Sequence, residues 1–198
     1  MKVNNEKKPK LKKGCLIGII VLIAFLGALT FGITQIVQNP EKYGAVTTND
    51  PQTLLTFDNR TWEDFKTLYK AHNEFMKLVD AYASGNVNAL NFYNKCVDYK
   101  NWCQQKSLSF DYGRTQDEMD YLGPFKSAAI SGQMAAQDLI KYIDTGKVSD
   151  MSSANLNIQN AKAAFTTIAS NRGTLLVKAG LTDEEIKQKI DEDTESLK

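Results

Sequence analysis

The chain has 198 residues, 42% of them hydrophobic, with 24 Lys plus Arg set against 23 Asp plus Glu and a single histidine. Near-neutral charge without a basic block after the first residues removes the electrostatic footing for nucleic-acid binding. One histidine and three cysteines leave no ligand cluster of zinc-site spacing, so no metal or other cofactor is expected.

Residues 1–13 form a basic tail in which Lys2, Lys7, Lys8, Lys10, Lys12 and Lys13 stand against one acidic residue, Glu6. Residues 14–38, GCLIGIIVLIAFLGALTFGITQIVQ, then run without a charge. At ~1.5 Å per helical residue that stretch can cross a hydrocarbon layer of ~30 Å with every backbone hydrogen bond satisfied internally. The expectation is a single-pass transmembrane signal-anchor in a bacterial cell envelope, with the N terminus cytoplasmic and the remainder extracytoplasmic. A cleavable signal would have a shorter apolar region ending at a small-x-small site, and the candidate sites after Ala28 and Gly32 fall inside the apolar run. Cys15 stands at the head of that run, whereas a lipid-modified cysteine follows the apolar region, and so it is not a lipobox cysteine. Ala24, Ala28 and Gly32 recur every four residues, which suits either homo-oligomer formation through the span or the ordinary abundance of small residues in such helices.

Residues 39–57 contain Pro40, Gly44 and Pro51 and read as a linker to an extracytoplasmic helical bundle over residues 58–198. The first long helix is expected to begin near Thr61, with Thr61 and Asp64 as its cap and Trp62, Phe65, Tyr69, His72, Met76, Val79 and Ala83 as its apolar stripe. Gly85 ends it. A second helix carries Ala89, Phe92, Cys96, Tyr99 and Cys103 at steps of three and four, a bundle seam.

Thr115 and Glu118 form a capping box ahead of a third stripe, Leu122, Phe125, Ala129, Gly132, Ala136, Leu139 and Ile143, while Gly123-Pro124 predicts a kink or the true helix start. Gly146 closes this helix, and Ser149 or Asp150 is expected to cap the fourth. Its stripe is Met151, Ala154, Ile158, Ala161, Phe165, Ile168, Arg172, Leu175 and Ala179. Thr182 and Glu185 open a short charged C-terminal helix. No segment alternates with period two, and the connections are short. The fold class is therefore all-α, an up-down-up-down four-helix bundle with a short terminal helix.

His72 lies in an apolar stripe without a nucleophile-elbow motif, which favours a packed structural histidine over a catalytic base. Acidic clusters at Asp117, Glu118 and Asp120 and at Asp183, Glu184 and Glu185 sit where helix N-termini favour negative charge. Cys96 and Cys103 would be seven residues apart on one helix, about 10 Å between Cα atoms. They are buried thiols, partners of another chain, or a disulfide that requires the helix to break. Arg172 is the charged member of a seam, placed to pair with an acidic group, to receive an anionic ligand, or to lay its stem on the core with its head in water.

Aromatic residues crowd the first two helices and the loop after them, so that some, Trp102 and Tyr112 among them, reach a binding surface or thicken the core. The function expected from these features is a non-enzymatic, membrane-anchored bundle that binds a protein or cell-envelope partner in an accessory, assembly or immunity role. A sensor-like bundle taking a small ligand is the alternative reading.

Overall fold

A computed structural model describes residues 50–113 and 115–195, with the side chain of Gln116 not described. The basic tail, the apolar run over 14–38 with Ala24, Ala28 and Gly32, and residues 39–49 lie outside the described residues. No helix among the described residues is long and apolar enough to cross a membrane.

The described residues are all-helical: α1 (Pro51–Ala83), α2 (Ala89–Ser109), α3 (Gln116–Thr145), α4 (Val148–Lys178) and α5 (Asp183–Glu195). The first four form a helical bundle in which successive helices run antiparallel. His72 meets Tyr99 whereas the later Tyr82 stacks on the earlier Phe92, and Phe65 meets Phe165 while the earlier Asp58 binds the later Arg172. The closest helix pairs are α3 with α4 and α2 with α3, while α1 stands further from its neighbours. Small buried side chains on the facing helices, Ala128, Ala129, Ala135 and Ala136 on α3 and Ala154, Ala161 and Ala164 on α4, permit that approach.

The linker expected over residues 39–57 is too long by a full helical segment. α1 starts at Pro51, with Asp50 as N-cap accepting a bond from the Thr53 amide at 3.1 Å. Proline at the first helical position sacrifices an amide that has no partner there in any case, so Asp50-Pro51 is a start signal and not an interruption. The two extra turns are packed, with Leu54 and Phe57 in the core. Thr61 and Asp64 consequently cap nothing: Thr61 is buried and its hydroxyl donates to the carbonyls of Phe57 and Asp58, while Asp64 accepts from Tyr112.

Both later capping boxes form, at Thr115 with Glu118 and at Thr182 with Glu185. Helix α3 passes through Pro124 without ending. The cap expected at Ser149 or Asp150 is not used, because Gly146 adopts φ +66° and Lys147 turns directly into α4, leaving Asp150 one turn inside, bonded to the Thr145 hydroxyl at 2.7 Å. At the outer ends of the expected stripes, Ala83 and Ala89 are exposed. The core divides along the bundle axis. One cluster gathers around Phe65, Phe125, Phe165 and Ile168, and the other around Phe75, Phe92, Cys96, Ala136, Leu139 and Ile158.

Candidate functional site: an aromatic-floored groove between α1 and α2

Helices α1 and α2 are held apart by stacked rings. Phe75 and Tyr99 lie 4.1 Å apart at 13°, Tyr82 and Phe92 4.1 Å apart at 3°, and Tyr99 continues to Trp102 at 6.1 Å. Such stacks give these helices a wide spacing, and a groove of about 480 Å³ opens between them. Ala71, Phe75, Leu78, Tyr99 and Trp102 supply its apolar lining, and Glu74, Lys95 and Asp98 its charged rim, where Lys95 and Asp98 approach to 3.9 Å. An apolar recess with a few polar groups at its edge is the usual form of a binding site.

The floor is braced from below. The Tyr99 hydroxyl lies 3.2 Å from His72 Nδ1 and hydrogen-bonds Cys103. A Cβ on Gly132 would come within 2.8 Å of the Tyr99 hydroxyl and 3.0 Å of Cys103 Sγ, so only glycine lets α3 come this close. Burial lowers the His72 pKa to about 4, with the Lys162 charge adding to the effect, and so His72 is neutral near pH 7. Burial pushes the thiols of Cys96 and Cys103 up to about 12 each and raises Tyr99 further.

Cys96 and Cys103 are both free and buried on the unbroken α2, so the internal bridge is not made and the reading of two buried thiols fits. These groups form a neutral polar seam that can position the groove floor. With neutral thiols and a buried imidazole, it offers no activated nucleophile.

The sequence-predicted partner residues are not brought together. Trp102 lines the groove. Tyr112 sits in the α2–α3 loop, donating to Asp64 at 2.8 Å beneath Arg60, whose guanidinium lies 3.6 Å from the ring centroid. Burial, and then the Asp64 hydrogen bond, raise its pKa.

Arg172 pairs with acidic side chains, the first of the readings its seam position allows; it does not reach solvent with its head, which corrects that expectation, and its donors face carboxylates of the chain itself and not an external anion. Its Nε and Nη2 donate to Asp58 at 2.7 and 3.0 Å, its Nη2 also donates to Asp193 of α5 at 2.5 Å, and its guanidinium covers the Trp62 ring at 4.0 Å. Lys189 of α5 adds a contact to Asp58 at 3.6 Å. Burial alone would lower the Arg172 pKa, but Asp58 and Asp193 outweigh it and hold it above the ordinary value. This cluster fastens α1, α4 and α5 together.

Sequence reasoning missed Asp58, Asp193 and the rim residues Glu74, Lys95 and Asp98. Asp58 was detectable: once α1 is begun at Pro51, it falls on the same face as Leu54, Thr61 and Phe65, a carboxylate in one seam matching an arginine in another. Among the described residues, no group of three His, Cys, Asp or Glu side chains is placed to hold a metal ion. Comparison with family models, with curated proteins and with solved structures found no match to the chain.

Proposed function

We propose that the chain is a non-enzymatic binding module, a helical bundle tethered by the apolar run over 14–38 with its bundle on the outer side of the membrane, which captures a protein or cell-envelope partner through the α1–α2 groove. The observation that carries this reading is the groove itself: a recess of about 480 Å³ whose floor is a continuous aromatic stack anchored on buried, neutral groups. Tyr and Trp are favoured as binding anchors because they bury a large area at small entropic cost, and Trp102 is half-buried before any partner arrives. The protonated thiols and the buried, neutral His72 support binding over catalysis. A small ligand in the same groove is the second reading, favoured by its size.

A photoreactive residue introduced at Asp98, on the rim, tests both in the intact full chain in its own membrane. A discrete crosslinked protein that disappears with Trp102→Ala supports partner capture. A small adduct of defined mass supports the ligand reading. Absence of both products rejects the groove as the binding site.

A further inference from the structure

The wall opposite the groove, formed by α3 and α4, is unusual in lacking charge. Between Lys126 and Asp138 the outer side of α3 presents Ser127, Ile130, Met134 and Gln137. From Met151 to Val177, α4 carries only two charged residues, Lys162 and Arg172; Arg172 is buried and Lys162 lies close enough to α1 to act on His72. The rest of that outer side is Ser, Thr, Asn, Gln and Ala, punctuated by Leu156. Ile130, Met134 and Leu156 are 39%, 48% and 63% exposed. By contrast, the exposed positions of α1 include Arg60, Glu63, Lys70, Glu74 and Lys77. Solvated surfaces normally interleave charges, whereas the centres of protein interfaces are depleted of them and enriched in methionine.

We infer that this wall is the contact between two copies of the chain, an isologous dimer packed through α3 and α4. Size supports it. At 1.5 Å per residue and about 10 Å of width per helix, the charge-free centre covers roughly 550 Å² and the whole two-helix face roughly 900 Å². A standard interface takes about 800 Å² per partner.

Charge selects the occupant. An isologous contact sets a surface against itself, so a wall without net charge meets its copy without repulsion and needs no complementary pattern. The flanking charges are already paired within one chain, Lys126 with Asp111 at 2.9 Å and Lys141 with Asp138 at 3.1 Å, and form a polar rim around an uncharged middle. Ser127 and the many small residues of α4 allow a neighbouring helix to approach closely. Because α1–α2 and α3–α4 are opposite walls of the bundle, the dimer turns its two grooves outward, and it stands whether or not the groove binds a partner.

The test uses the full chain in its membrane with Cys15→Ser, since Cys96 and Cys103 are buried. Single cysteines are introduced as Met134→Cys and Leu156→Cys on the wall and as Lys77→Cys on the outer side of α1, and each is treated with a short bismaleimide. The expected product is a dimer of the chain with itself at Met134→Cys or Leu156→Cys, at least tenfold more abundant than at Lys77→Cys, and lost when Ile130→Lys is added while the helical melt is unchanged. No dimer from either wall cysteine overturns the inference. So does equal dimer at Lys77→Cys, which reports crowding or association through another segment, and so does a wall adduct to a different protein.

Discussion

The α3–α4 seam and the layer between α1 and the rest of the bundle solve the same packing problem in opposite ways. The seam is rich in buried alanines, and its helices are the closest pair in the bundle. The α1 layer is filled by rings: Phe65 meets Trp62, Tyr69 and Phe165, and Phe75 meets Tyr99. A seam of small residues has no room for anything else. A layer of large ones leaves interstices, and there the molecule places its buried histidine, its Asp58–Arg172 pair and its groove. The candidate chemistry lies along α1 because the packing there is coarse.

The contrast can be broken first at Phe165, which touches Phe65, Tyr69 and His72 and is 2% exposed. Phe165→Ala empties a site that the rigid α3–α4 seam cannot collapse to fill, and should cost about 3 to 5 kcal/mol in chemical denaturation. A loss under about 1 kcal/mol would show that the aromatic layer closes over the gap.

Arg172→Met should cost a similar amount, about 3 to 5 kcal/mol, because Asp58 is fully buried and would lose both guanidinium hydrogen bonds, keeping only Lys189 at 3.6 Å. Adding Asp58→Leu should recover most of the loss. A double variant no more stable than the single one would mean that the pair contributes through geometry and not by neutralising a buried charge.

His72 makes the same layer sensitive to acid. Its folded pKa of about 4 lies below the ordinary 6.5, so between those values the unfolded chain binds the proton more readily than the folded one. Stability is complete above about pH 6.5 and falls as the pH drops toward 4, by about 3 kcal/mol in all. Melts of wild type and His72→Gln across this range should converge at acid pH, the variant lacking the histidine's share of the slope; parallel profiles would count against a buried neutral imidazole.

Enlarging the seam tests the other side of the comparison. Ala136→Leu, at a position with no exposed surface, should destabilise by about 1 to 3 kcal/mol through overpacking and separate α3 from its neighbours. A neutral result in a thermal melt would reveal slack that the close approach of α3 and α4 denies.

The smallest effect is local. Helix α5 buries a single apolar residue, Ile186, and is otherwise tied by Asp193 to Arg172 and by Lys189 to Asp58 and Asn59. Asp193→Asn should cost about 1 kcal/mol and speed amide exchange in residues 183–195 while leaving α1–α4 protected. Uniform loss of protection would make α5 an integral part of the core.

What a helix needs from its own residues was legible before any packing was known. Gly146 and the Thr115 and Thr182 boxes marked ends because caps act within one turn, and the stripes of α3 and α4 were readable because a helix repeats its face every 3.6 residues. Even the error at Pro51 was local, a start signal taken for a break. Interactions between helices were not written in any one segment. Arg172 stood out as a charge in a seam, yet its partner is 114 residues away and becomes a neighbour only when α1 lies antiparallel to α4. Trp102 could be named as an aromatic on α2, but not as the wall of a groove whose other side is Ala71 and Leu78 on α1. Periodicity shows which face of a helix is buried; the volumes of the side chains on two facing helices decide how far apart they stand, and that distance made an alanine seam on one wall and a groove on the other.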